Sequence, residues 1–237
     1  GDMAAFSRHT LLLELLFANL SDEDVGPGET GAPPRIEEVT GRYLHLDIEG
    51  KRHRLYFEEA GSGPALLCLH TAGSDGRQFR HLLNDPDVTS RFRVIAFDLP
   101  WHGKSSPPAG FEAEVYELTT KRYVGTVMAV VEALGLDKPT VMGCSIGGRV
   151  VLHLALQHGA KFRAAIGLQS ALYAEDRSLG DPVPAMALHR PDIHGGKLSG
   201  ASMAGMIAPQ SPSPERWETM WHYMQGGPGI FWGDVQY

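Results

Sequence analysis

A chain of 237 residues can bury a sizeable core as one large α/β domain, or as one domain with a small insertion. Its formal charge of −7, with the two signs mixed along the chain, lacks the basic face that nucleic-acid binding requires. Two cysteines, Cys68 and Cys144, make no disulfide framework and point to a reducing compartment, so a cytoplasmic location is expected.

Residues 4–20 read as an amphipathic helix around the run Leu11 to Phe17, serving either as a docking or dimer element or as a helix packed on its own domain. That run carries Glu14 and is too short to span a membrane, and no small-residue cleavage site follows it. Gly1-Asp2 before Met3 reads as an appended remnant and is set aside. Ser21 to Pro34, rich in acid, glycine and proline, reads as a linker with too little apolar surface to order itself. Residues 1–35 are therefore expected to stand apart from a core at 36–170 and a third region at 171–237.

The core opens with an alternating run, Tyr43 to Ile48, a Glu49-Gly50 turn and a returning run, Arg52 to Phe57, which together predict a β-hairpin. Ala65 to His70 is a short apolar strand followed by the loop Thr71 to Gly76, and Gly76 to Leu83 suggests a helix. A second apolar strand, Phe92 to Phe97, runs into Asp98-Leu-Pro-Trp-His102-Gly103-Lys-Ser105. Residues 118–134 carry Tyr123, Val124, Val127, Val130, Val131 and Leu134 close to helical spacing. The Gly135 to Pro139 break then delivers the chain into a strand through Val141. Gly143-Cys-Ser145-Ile-Gly-Gly148 follows, and from Arg149 a helical run begins; Arg163 to Leu168 is a further candidate for a buried strand. Strand, loop and helix alternate as an α/β fold with a mostly parallel sheet requires.

The Gly-x-Ser-x-Gly spacing around Ser145 is the informative motif. Between a strand and a helix, so tight a turn forces the serine backbone into strain and lifts its hydroxyl clear of the sheet, while glycines two before and two after prevent collisions. Cys144 reads as a small apolar side chain and Asp98 as a residue that ties down its own loop. His70 and His102 read as loop hydrogen-bonding residues.

With the Leu69-His70 turn, the Asp98 to Ser105 segment and the Ser145 elbow in register, the chain resembles the α/β-hydrolase fold superfamily, in its serine-nucleophile branch, over roughly residues 40–170. The resemblance implies Ser145 as nucleophile and an oxyanion hole from the backbone N–H groups of Ala72 and Ile146, with His70 and Thr71 beside the pocket. Thr71 stands where relatives usually have glycine. It also implies a helical cap after the sixth strand. Beyond Ser170, prolines break the pattern, and five of eight methionines and three of four tryptophans fall after residue 180. Such adaptable apolar side chains suit the roof of a pocket, so Met203, Met206, Trp217, Met220, Trp221 and Met224 are the candidates to line it.

The same resemblance implies two more strands after the cap, followed by the triad acid and then the histidine. The sequence reaches Tyr237 without them, leaving His189, His194 and His222 with Asp181, Asp192 and Asp234 as weak substitutes. Three readings stay open: a fragment of a longer protein, a homodimer mate or partner segment that completes the sheet, or a shortened non-catalytic relative. The chemistry implied for a complete site is acyl transfer through Ser145 on a carboxylic ester, lactone or thioester of a small to medium hydrophobic substrate. Hydrolysis of a carbon–carbon bond next to a ketone and ligand binding without turnover are the alternatives. A serine at the nucleophile position disfavours the carboxylate-dependent dehalogenase and epoxide-hydrolase branches. His189, Asp192 and His194 do not complete a metal-ligand set, and no dinucleotide or phosphate-binding motif is present, so neither metal nor cofactor is expected.

Overall fold

A computed structural model describes residues 33–173, 199–200 and 203–237. Six strands form one sheet in the order β1-β2-β4-β3-β5-β6. β1 (Thr40–Ile48) and β2 (Lys51–Ala60) make the expected hairpin. Its two-residue turn puts Glu49 at φ 50° and Gly50 at φ 76°, the positive values at both positions that match the twist of the flanking strands. Near the turn the strands bury alternate residues, Leu46 and Ile48 on one and His53, Leu55 and Phe57 on the other.

β2 runs antiparallel to β4 (Arg93–Phe97), whereas β4, β3 (Ala65–Leu69), β5 (Thr140–Cys144) and β6 (Ala164–Leu168) are mutually parallel. β3 and β4 bury both faces, which explains why each reads as a continuous apolar run instead of an alternating one. Leu67, Leu69, Ile95 and Phe97 face the larger core, together with Tyr123, Val127 and Val130 of helix α1 (Thr120–Ala133) and Val150, Val151 and Leu154 of helix α2 (Ile146–His158). Leu66, Cys68, Val94 and Ala96 face a smaller core closed by Phe79 and Leu83. The expected helix over 76–83 is a 3₁₀ turn, Gly76–Phe79, running into one α-turn, Arg80–Leu83. α1 begins at Thr119, whose side chain caps the Arg122 N–H.

The strand expected to be buried at 163–168 is corrected. β6 exists, but all five of its residues are exposed, with Ile166 at 40% and Leu168 at 42%. It pairs with β5 alone, so it occupies the sheet edge, and among the described residues nothing seals its outer face. Further along, two helices, α3 (Ser213–Tyr223) and α4 (Ile230–Val235), return toward the loops at the C-terminal ends of β3 and β4. The expected helix at 4–20 and nearly all of the linker lie outside the described residues, as do His189, His194, Asp181 and Asp192.

Candidate active site

Ser145 sits between β5 and α2 with φ 55° and ψ −114°, a region that side chains other than glycine rarely enter. Its N–H donates to the Leu168 carbonyl at 2.9 Å, and its own carbonyl accepts from the Arg149 N–H at 2.9 Å. The strained residue is thus tied to β6 on one side and to the helix on the other. The glycines around it are demanded by close contacts, with backbone at Gly143 and Gly147. A Cβ at Gly143 would strike Gly147, one at Gly147 would strike the Leu69 carbonyl, and one at Gly148 would strike the Ser170 side chain. Half-buried Ser145 precedes Ile146, whose N–H opens α2 and so has no partner within the helix.

The second strand end, after β3, is organised by polar contacts. His70 is 1% exposed; its Nε2 accepts the Leu99 N–H at 3.1 Å, which leaves the proton on Nδ1 to donate to the Thr71 carbonyl at 2.9 Å. Burial, reinforced by the neighbouring His102, pulls the His70 pKa down to about 4, so the ring is neutral. The Thr71 N–H donates to Gln78 Oε1 at 2.8 Å, and Ser74 closes a turn onto the Thr71 carbonyl. Ala72 is buried at this turn, and Gly73 follows it at φ 64°.

After β4, the Asp98 carboxylate does tie down its loop, accepting the Gly76 and Lys104 N–H groups at 2.8 Å each. Burial and then the nearby Asp75 push its pKa up to about 6. In the same loop His102, 2% exposed, places Nδ1 2.9 Å from the Pro100 carbonyl and Nε2 2.8 Å from Asp234 Oδ2. Both partners are acceptors, so both ring nitrogens donate and the ring is an imidazolium. Burial opposes charge on both members of this pair, but mutual attraction and hydrogen bonds outweigh it. His102 is raised above its ordinary pKa and Asp234 is held below the usual carboxylate range.

Asp234 itself, on α4, is fully enclosed. It accepts the Gly73 N–H at 2.7 Å and the Tyr116 hydroxyl at 2.7 Å in addition to His102. The surrounding segment seats on the same loop: Phe231 fills the space beside Gly73, and the Tyr223 hydroxyl pairs with Thr71. Neither His70 nor His102 keeps a ring nitrogen free to take a proton from Ser145. His222 is buried with Nε2 unpaired, and the charges nearest it are Arg77, Arg80, Asp75 and Glu218.

The apolar residues expected to line a pocket divide in two. Met203 and Met220 are buried and Met224 is half-buried, whereas Met206, Trp217 and Trp221 are exposed at 68%, 37% and 54%. Trp221 lies under the Arg77 guanidinium, 5.7 Å from its ring centroid. Cavities of about 170, 90 and 740 Å³ are lined by none of these six and not by Ser145. Among the described residues no group of three or more His, Cys, Asp and Glu side chains is arranged to hold a metal. No described helix is long and apolar enough to cross a membrane.

The family model for the alpha/beta hydrolase fold matches residues 64–215, from the start of β3 into α3. The chain belongs to this family. A solved hydrolase from Pseudomonas aeruginosa PA01 superposes with a TM-score of 0.66 at 22% identity, over 81% of this chain and 70% of that one. The enol-lactonase from Burkholderia xenovorans LB400 superposes with a TM-score of 0.62 at 15% identity, over 81% and 71%.

In sequence, this α/β hydrolase is 31% identical over 136 residues to the dihydrolipoyllysine-residue acetyltransferase component of the acetoin cleaving system of Cupriavidus necator. It is 30% identical over 125 residues to the 2-hydroxy-6-oxo-6-phenylhexa-2,4-dienoate hydrolase of Burkholderia cepacia. Those matches take in 57% and 52% of the chain but only 34% and 42% of the relatives. The chain thus spans well under half the length of the curated relatives it matches.

Proposed function

We propose that this α/β hydrolase uses Ser145 as a nucleophile on a carboxylic ester, lactone or thioester with a small to medium hydrophobic acyl part. The observation that carries the reading is the strained Ser145 backbone at a strand-to-helix corner, kept by glycines whose replacement would strike backbone. Such strain persists only where the surroundings over-determine it, and it serves to hold the hydroxyl out from the sheet.

In this mechanism the Ser145 hydroxyl attacks the carbonyl carbon while losing its proton to a base. The carbonyl oxygen takes the negative charge and is received by the Ala72 and Ile146 N–H groups. The leaving group departs with a proton, and water then attacks the acyl-serine to release the acid. Each amide of the hole contributes on the order of 3 kcal/mol to lowering the barrier. The base comes from outside the His70 and His102 pair, whose nitrogens are committed, and a partner segment docked at the β6 edge is one way to bring it. A cytoplasmic setting without cofactor or metal completes the reading. An epoxide hydrolase of Caballeronia sordidicola is 28% identical over 131 residues, but the serine at position 145 favours acyl chemistry over attack by a carboxylate.

The commitment of both histidines also favours a second reading, a relative that binds a hydrophobic ligand without turnover. Hydrolysis of p-nitrophenyl butyrate by the protein and by Ser145→Ala separates the two. Loss of the rate in the variant supports the nucleophile, and equal rates in the two proteins defeat it.

A further inference from the structure

The acyl-transfer reading gives Asp234 no task, yet this carboxylate is fully enclosed and directs three donors at itself. Its position relative to Ala72 supplies the task. The Ala72 N–H belongs to the peptide plane shared with Thr71, and the plane after it carries the Gly73 N–H. A trans peptide sends its C=O and N–H in opposite directions, so fixing one fixes the other. On the first plane the Thr71 carbonyl is gripped by His70 Nδ1–H at 2.9 Å and by the Ser74 N–H at 3.3 Å. On the second, the Gly73 N–H is gripped by Asp234 Oδ2 at 2.7 Å. The dihedrals of Ala72 are therefore clamped from both sides.

We propose that Asp234 is a positioning residue for the oxyanion hole, holding the peptide after Ala72 so that the Ala72 N–H stays aimed at the carbonyl oxygen of the substrate. This rests on the serine-hydrolase reading. Two details of the cluster fit the role. A bare carboxylate beside a forming oxyanion would oppose it, and the His102 imidazolium on the same Oδ2 cancels that charge. Tyr116 occupies the other oxygen, Oδ1, so the carboxylate cannot rotate away from Gly73 without breaking a buried hydrogen bond. Without Asp234, the Gly73 N–H would be left buried and unpaired, and the loop would shift to satisfy it.

The test is phosphonylation of the full chain by a fluorophosphonate ester, in which the Ser145 oxygen bonds phosphorus, fluoride leaves, and the P=O oxygen occupies the oxyanion hole. Intact mass reports the adduct, and rate against probe concentration separates the maximal rate from the half-saturating concentration. Asp234→Asn and Asp234→Ala are expected to lower the maximal rate on the order of tenfold or more, as for a lost or misaimed oxyanion donor. The half-saturating concentration should change less than about twofold, and hydrogen exchange at Gly73 and Ala72 should speed up. A destabilised but otherwise unaltered protein would not show that split.

Tyr116→Phe, which removes only the Oδ1 contact, is expected to slow labelling a few-fold and keeps the test decisive if the Asp234 variants do not fold. Wild-type labelling rates in Tyr116→Phe and Asp234→Asn, with unchanged exchange at Gly73, would overturn the clamp while leaving the serine reading intact. Failure of the wild type to label at Ser145 even with imidazole supplied as an external base would instead sink the serine reading, and the clamp with it.

Discussion

Ser145 and Ala72 stand at the ends of adjacent parallel strands, β5 and β3, and they are held in place by different physics. The elbow at Ser145 is shaped by steric exclusion over six consecutive residues, where glycines admit backbone contacts that any Cβ would block. The turn at Ala72 is shaped by charge and hydrogen bonding among side chains from four separate segments: His70, Gln78, His102 and Asp234. A corner built by packing resists changes of pH and salt, whereas one built by a buried ion pair depends on protonation. The two corners should therefore fail under different perturbations.

The largest effect is expected from His102→Ala. It leaves Asp234 ionised at zero exposure without its counter-charge, and breaking a buried pair from one side costs about 3–5 kcal/mol. Urea denaturation of the variant checks this; a loss below about 1 kcal/mol would mean that water reaches the pair in solution. On the other side of the comparison, Gly147→Ala drives a methyl group into the Leu69 carbonyl, a backbone atom that moves only if β3 moves. A destabilisation on the order of 3 kcal/mol is expected, equally large at pH 5 and at pH 8.

That contrast also explains what could be read from the amino-acid sequence. The elbow, the hairpin and α1 are encoded by neighbours in the chain, through a Gly-x-Ser-x-Gly spacing, a two-residue turn and a 3.6-residue apolar period, and the structure places all three within a few residues of expectation. The cluster around Asp234 has no such signature. Its partners Gly73, His102 and Tyr116 lie 161, 132 and 118 residues away, so no local pattern could pair them. His102 reads in sequence as a loop residue and is one, but its charge comes from a carboxylate that only the tertiary fold delivers. β6 fails for the opposite reason. Its apolar residues look like core, yet burial depends on what lies beyond the sheet edge and not on the strand itself.

The pH dependence of stability should separate the two corners further. Asp234 has a depressed folded-state pKa, so its contribution is present above the unfolded value of about 4 and is lost as the pH falls through the lower folded value. His102 has a raised pKa, so its contribution is complete below the unfolded value of about 6.5 and is lost as the pH rises through the higher folded value. The other ionisable groups facing this pair are Asp98, which supports the imidazolium, His70, which stays neutral, and the Tyr116 and Tyr123 hydroxyls, which burial and Asp234 keep protonated. The stability gap between wild type and His102→Ala should thus be widest between about pH 4 and 6.5 and should narrow on either side. Unfolding midpoints from pH 3 to 9 measure it, and a gap independent of pH would assign the cost to lost packing.

The smallest effect is expected at β6, and it sharpens the comparison by extending it to the strand beside the elbow. Val141 of β5 is 0% exposed, and Val141→Ala should cost on the order of 2 kcal/mol. Ile166, one strand over and 40% exposed, buries less apolar surface than Val141, so Ile166→Thr should cost less, on the order of 1 kcal/mol. Threonine keeps the β-branch that suits an extended backbone, which leaves burial as the main variable. Because the Ser145 N–H is anchored on the Leu168 carbonyl, β6 still sets the elbow through its backbone whatever side chains it carries. A cost at Ile166 approaching that at Val141, growing with protein concentration, would show that a second polypeptide covers this edge in solution.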